Sequence, residues 1–142
     1  MKKIFVYGTL LEGCRNYNIY LKHHVRSIQK AYVKGLLYSI KNCDYPALIE
    51  GNRYICGEIM DVDDSVIPLL DDLEGFYKDN SFENEYNKEY RFIYDQYGKC
   101  IAHLPVYFYN LTNPKLKDTL DQLIEENDYR IWLKQYKRGC NE

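Results

Sequence analysis

"FVYGTLLEGCRNY", residues 5–17, opens as a β-strand and then abandons strand chemistry. Ile4, Phe5, Val6 and Tyr7 are β-branched or aromatic, the types that pack well on a buried pleated surface. Gly8 and Thr9 interrupt the run, and Leu10, Leu11, Glu12, Gly13, Cys14, Arg15 and Asn16 follow. A glycine directly after a strand lets backbone N–H groups face a cavity, where they bind carboxylate or carbonyl oxygens. The same strand–Gly–Thr order is also an ordinary turn. It is not a phosphate loop, because G-x-x-x-x-G-K-[ST] is absent and Gly8 with Gly13 does not make G-x-G-x-x-G.

Working outward, the first strand is expected over about residues 3–7. A short helix is expected over 17–24, with Asn16 as its N-cap and Ile19, Tyr20 and His23 on related faces. "SIQKAYVKGLLYSI" (27–40) reads as one or two strands around Gly35. Beyond it, Tyr45-Pro46 reads as a loop, 50–53 as an Asn-containing turn, and 54–62 as a strand. Asp63, Asp64 or Ser65 can cap a helix whose Val66, Leu69, Leu70 and Leu73 share one face, with Gly75 as its stop. A polar stretch, "YKDNSFENE" (77–85), leads to strands over 86–94 and 100–109 joined by "DQYGK". The tail, about 114–136, reads as an amphipathic helix. Many strands, isolated helices and few βαβ units predict an α+β fold with a mixed or barrel-like sheet rather than a doubly wound one.

The 142 residues suit one domain spanning 1–142, with no repeat, linker or low-complexity segment. Nineteen basic against twenty-one acidic residues give a net charge of −2, which argues against a nucleic-acid partner held by bulk charge. There is no signal-peptide pattern and no apolar run near the roughly 20 residues of a membrane span. Cys14, Cys43, Cys56, Cys100 and Cys140 are scattered, odd in number and never spaced C-x-x-C, which counts against a zinc knuckle or a disulfide framework. A cytoplasmic, reduced protein is the expectation. Sixteen tyrosines are the compositional outlier, since each ring can line a core or pocket while its hydroxyl needs a partner.

Glu74, in "LLDDLEGF" (69–76), ends the capped helix. Burial among Leu70, Leu73 and Phe76, and the negative end of the helix dipole, would both raise its pKa toward that of a neutral-pH proton acceptor. A solvated glutamate beside a helix stop is the other reading. His23, His24 and His103 have no metal-ligand spacing, and the aspartates at 61, 63, 64, 71 and 72 suit a helix start and a solvated face. Cys14 has no identifiable histidine partner for nucleophilic work, and no serine sits in G-x-S-x-G. Tyr107, between Val106 and Phe108, either turns its hydroxyl inward or simply packs.

Taken together, "VYGTL" with "EGCRN" resembles the Y-G-[ST]-L-x-x-G-x-x-N opening of the γ-glutamylcyclotransferase-like superfamily, which includes the AIG2-like proteins. "LYSIKNCDYPALIEGNRYICGEIMDVDD" (37–64) resembles that family's Y-P-A and G-E segment, "LLDDLEGF" its L-D-x-x-E-G signature, and "CIAHLPVYFYN" (100–110) its late tyrosine-bearing strand. The likeness covers about residues 3–110 in the family's order. It implies that Glu74 carries the proton and that Tyr7, Gly8, Thr9 and Leu10 receive a γ-glutamyl group through backbone amides. Tyr107 matches the pocket tyrosine, although Tyr109 faces the same side, while Gly13 and Asn16 match as structural positions. Two features depart from the pattern: a longer gap after Glu74-Gly75, and "YNK" (86–88) in place of Y-x-R. The implied reaction closes a γ-glutamyl amide to 5-oxoproline with release of an amine, without cofactor or metal. A pocket-retaining binding protein and a Glu-dependent amide hydrolase are the alternatives. The leaving amine and the oligomeric state are not indicated.

Overall fold

The computed structural model describes residues 1–140, with side chains through residue 137. Cys140 therefore has its side chain outside the described residues. Six strands form the frame: β1 (Lys2–Val6), β2 (Val25–Ile40), β3 (Pro46–Val62), β4 (Tyr86–Tyr94), β5 (Cys100–Tyr109) and β6 (Leu120–Leu123). Two helices accompany them, α1 (Ile67–Leu73) and α2 (Tyr129–Cys140). The hydrogen-bonded order is β1-β3-β2-β4-β5, with β6 on β2, and the pairings are antiparallel. Helices set around an antiparallel sheet give the expected α+β class.

The sheet curls without closing. β1 and β5 are the two ends of the strand order. They are nevertheless bridged where the Tyr7 hydroxyl donates to the Tyr107 carbonyl. Inside the curl, Leu37, Leu48, Ile55, Met60 and Ile93 are fully buried, and Leu70 of α1 joins them. Phe5 and Val6 are buried too, as the apolar run before Gly8 requires.

Several expectations need correcting. The residues expected to turn at 50–53 lie inside one continuous strand, β3. Its partner β2 is likewise a single strand, and the register jumps from Gly35 opposite Arg53 to Leu36 opposite Ile49. The Asn-containing stretch is thus absorbed as a bulge, because ladder bonds on both sides hold the backbone extended. The helix expected over 17–24 is one π-helical turn, Tyr17–Leu21, and Asn16 makes no side-chain cap. The tail is helical only from Tyr129; before that, β6 pairs with Tyr38 and Ile40 of β2. That edge of β2 offers unpaired backbone groups, and their demand outweighs helical propensity.

Other elements fall close to where the pattern puts them. A 3₁₀ turn over Asp64–Val66 leads into α1, which ends at Gly75 with φ +66°. The expected cap is not made: Asp63 precedes the 3₁₀ turn and Val66 precedes α1, neither with a side-chain cap. Leu69 is exposed rather than buried with Val66 and Leu70. β4 and β5 match their expected spans. Of the buried tyrosine rings, those of residues 7, 86, 107, 109 and 129 have hydroxyls hydrogen-bonded within the protein. Among the described residues, no helix is long and apolar enough to cross a membrane.

Candidate active site

The turn after β1 and the C-terminus of α1 meet across a cavity of about 160 Å³. That is close to the volume known to hold a benzene-sized molecule. Tyr7, Gly8, Thr9, Leu10, Glu74 and Tyr107, all singled out from sequence, line it together. The structure also brings in Arg15, Tyr45, Pro46, Glu85 and Tyr86, to which the sequence reading gave no role in the site. The Tyr45-Pro46 pair lay within the Y-P-A block, which was the available signal. Glu85 had none beyond its place just before Tyr86.

The loop is held from behind. Asn16 donates its side-chain amide to Thr9 Oγ1 at 2.8 Å, and the Asn16 and Tyr17 N–H groups both reach the Thr9 carbonyl, at 3.0 and 3.1 Å. Gly8 is required by its neighbour: an added Cβ would stand 2.9 Å from Pro46 Cδ. Among the described residues, the N–H groups of Gly8, Thr9 and Leu10 have no backbone or side-chain acceptor. All three residues are buried. Buried backbone donors are rarely left unpaired, so three in succession among the lining residues make this turn a candidate site for ligand oxygens. Asn16→Ala removes the brace and leaves a buried Thr9 hydroxyl unpartnered. We expect a loss of about 1–2 kcal/mol in urea unfolding.

Glu74 sits at the last turn of α1, its N–H donating to the Leu70 carbonyl at 2.9 Å. Its carboxylate has no hydrogen-bond or salt-bridge partner among the described residues. Burial pushes its pKa up to about 8, and the Glu85 charge adds to the rise. Glu85 is held beside it, its N–H donating to the Gly75 carbonyl at 3.0 Å. Burial raises Glu85 as well, while a hydrogen bond from the Tyr45 hydroxyl, 3.2 Å from Oε2, works the other way. An NMR titration of the Glu74 carboxyl should therefore show a midpoint near 8, falling in Glu85→Gln. A midpoint in the ordinary carboxylate range would restore the solvated reading.

Of the four lining tyrosines, Tyr7, Tyr86 and Tyr107 are proton-retaining donors at neutral pH, because burial drives their hydroxyls well above 10. Tyr86 donates to the Pro46 carbonyl at 2.5 Å, fixing the strand end against Gly8. Tyr107 contributes to the cavity wall, but its hydroxyl donates to Asp71 Oδ1 at 2.6 Å, and Lys88 binds the same carboxylate at 2.8 Å. Lys88, standing where the resembled motif has arginine, thus anchors Asp71 rather than lining the cavity. Cys14 is not among the lining residues, and burial raises its thiol pKa more than nearby Arg130 lowers it. Among the described residues, no group of three His, Cys, Asp or Glu is placed to hold a metal ion.

Comparison with known proteins places this geometry in a family. The model of the family "Gamma-glutamyl cyclotransferase, AIG2-like" matches residues 4–131. A gamma-L-glutamyl-butirosin B gamma-glutamyl cyclotransferase of Niallia circulans is 32% identical over 88 residues, which are 62% of this chain and 55% of that protein. The match thus spans about half the length of that relative. Among solved structures, a mouse AIG2-like protein aligns with a TM-score of 0.63 at 21% identity, covering 84% of each chain. Protein PH0828 of Pyrococcus horikoshii aligns with a TM-score of 0.66 at 18% identity, covering 96% of this chain and 98% of that one. These two likenesses are of fold.

Proposed function

The chain belongs to the gamma-glutamyl cyclotransferase, AIG2-like family, and from that premise we propose that it closes γ-glutamyl amides to 5-oxoproline and releases the amine. The observation that carries the reading is the pairing, in one cavity, of an unpartnered Glu74 with the unpartnered N–H groups of Gly8, Thr9 and Leu10.

In this reading the loop amides hold the substrate's oxygens and keep the glutamyl chain curled, so that its α-nitrogen lies beside its own γ-carbonyl carbon. Ring closure is then intramolecular, and positioning lowers the barrier. Glu74, as carboxylate, accepts a proton from the α-ammonium, and the freed amine attacks the γ-carbonyl. The developing oxyanion draws on the loop N–H groups. Glu74 returns its proton to the departing nitrogen as the amide C–N bond breaks, and a second proton then passes from the ring nitrogen by way of the Glu74 carboxylate to the released amine. Of the three ammonium protons, one stays on the lactam nitrogen and two leave with the released alkylammonium. No covalent enzyme intermediate, metal or nucleotide enters this balance. The reading also includes a reducing, cytoplasmic setting, in keeping with five scattered cysteines that never fall in C-x-x-C spacing.

The test is a panel of γ-glutamyl amino acids and γ-glutamylamines, followed by detection of 5-oxoproline. Formation above the level of a Glu74→Gln control is the expected result. No 5-oxoproline from any member would sink the proposal, and free glutamate as product would show attack by water instead.

A further inference from the structure

Glu85 has no part in the proton transfers above, yet it is built into the same cavity with care. Its N–H donates to the Gly75 carbonyl and its carbonyl accepts from the Asn110 N–H at 2.9 Å. Behind it, fully buried Asn84 ties the polar 76–85 segment together, accepting from the Tyr77 N–H at 2.8 Å and donating to the Lys78 carbonyl at 2.7 Å. The Asn110 and Asn113 side chains both donate to the Asn84 carbonyl, at 2.9 and 3.2 Å. The segment that lengthens the gap after Glu74-Gly75 is therefore an ordered brace whose last residue, Glu85, is delivered to the cavity.

The charge in that cavity is one-sided. Glu74 and Glu85 both line it, and neither has a cationic partner among the described residues. Arg15 is the one basic lining residue among those described, and its guanidinium is taken by Asp44 at 2.5 Å. Asp44 is itself fixed, because Tyr129 of α2 donates to its carbonyl. Two partly desolvated carboxyl groups without counter-charge are costly to ionise together, and a bound cation removes that cost. The substrate's α-ammonium answers one of them, and that is the charge Glu74 consumes.

Resting on the cyclotransferase reading, we propose that Glu85, oriented by the Tyr45 hydroxyl, is the specificity-determining subsite for a cationic leaving amine. The substrate class is then γ-glutamyl amides of amines that carry a second, protonated amino group. The layout fits. Tyr7, Gly8 and Tyr86 are buried, whereas Glu74, Glu85 and Tyr45 are partly exposed and Arg15 is exposed, which sets Glu85 with Tyr45 and Arg15 on the more open side of the cavity from the Gly8 turn. A glutamyl group curled against the Gly8 loop projects its amide substituent in that direction. An amine bearing a carboxylate would meet Glu85 as a like charge, and an alkylamine would leave it uncompensated.

The experiment compares kcat/KM for γ-glutamyl amides of 1,4-diaminobutane, butylamine and 4-aminobutyrate, which have similar length and differ in terminal charge. In the wild type, the diamine conjugate is expected to exceed the butylamine conjugate by about tenfold or more, the range of a hydrogen bond to a charged group, with the carboxylate conjugate lowest. Glu85→Gln should collapse the diamine-to-butylamine ratio to about 2–3, and Tyr45→Phe should lower it partway. Equal rates in the wild type, or a ratio that survives Glu85→Gln, would overturn the subsite while leaving cyclotransfer standing. If none of the three conjugates yields 5-oxoproline while γ-glutamyl amino acids do, the subsite is overturned and cyclotransfer stands; if neither set yields it, both readings fall.

Discussion

Glu74→Gln is expected to reduce 5-oxoproline formation by about 10²–10⁴-fold, the usual contribution of a positioned general acid–base group. The loss should appear in kcat more than in KM, because the neutral amide keeps the shape of the cavity but cannot carry the proton. The same substitution should stabilise the protein, with a defined pH dependence. Burial raises the Glu74 pKa from 4.5 to about 8, so the native state holds this proton more tightly than the unfolded chain does. Stability from that proton is complete below about pH 4.5 and is lost as pH rises through 8. Each unit of the shift corresponds to about 1.4 kcal/mol, of which a glutamine recovers on the order of 2–3 kcal/mol at pH 9. The gain in Tm of the variant over wild type should therefore be small at pH 5 and grow toward pH 9. A constant difference across that range would show that Glu74 is not held in a desolvating site.

Gly57→Ala is expected to cost more than about 3 kcal/mol and to lower Tm by about 10 °C or more. Gly57 lies on β3 opposite Ala31 of β2. A Cβ there would stand 2.3 Å from the Val6 carbonyl oxygen and 2.4 Å from Phe5 Cζ. The Phe5 ring is fully buried and the Val6 carbonyl is backbone, so neither can yield without moving β1. Movement of β1 displaces the Gly8 loop at its end, and a shift of about 1 Å there is enough to lose roughly 10²-fold in rate. Thermal unfolding and 5-oxoproline release should fall together. A variant melting within about 3 °C of wild type would show that the strands pack less tightly than described.

The two variants also separate what was legible along the chain from what was not. β4, β5 and the stop at Gly75 were readable because local alternation, the "DQYGK" turn and a positive-φ glycine decide them within a few residues. Glu74 was readable as a candidate because its leucine neighbours lie in the same helical turn. The bulge over residues 50–52 was not, because only the facing β2 ladder determines whether an Asn-containing stretch turns or stays extended. Nor was β6, whose partner edge lies eighty residues earlier in the chain.

The sequence alone determined the strand that ends at Tyr7, the glycine that follows it, and a glutamate at the end of an apolar helix; each depends on neighbours a few residues away. Only the tertiary structure decided that Gly8 presses on Pro46, that the Gly8–Leu10 amides stay unpaired, and that Glu85 lines the same cavity as Glu74. Those relations rest on contacts between elements distant in the chain, and desolvation, which moves the Glu74 proton toward neutral pH, exists only once they close around it.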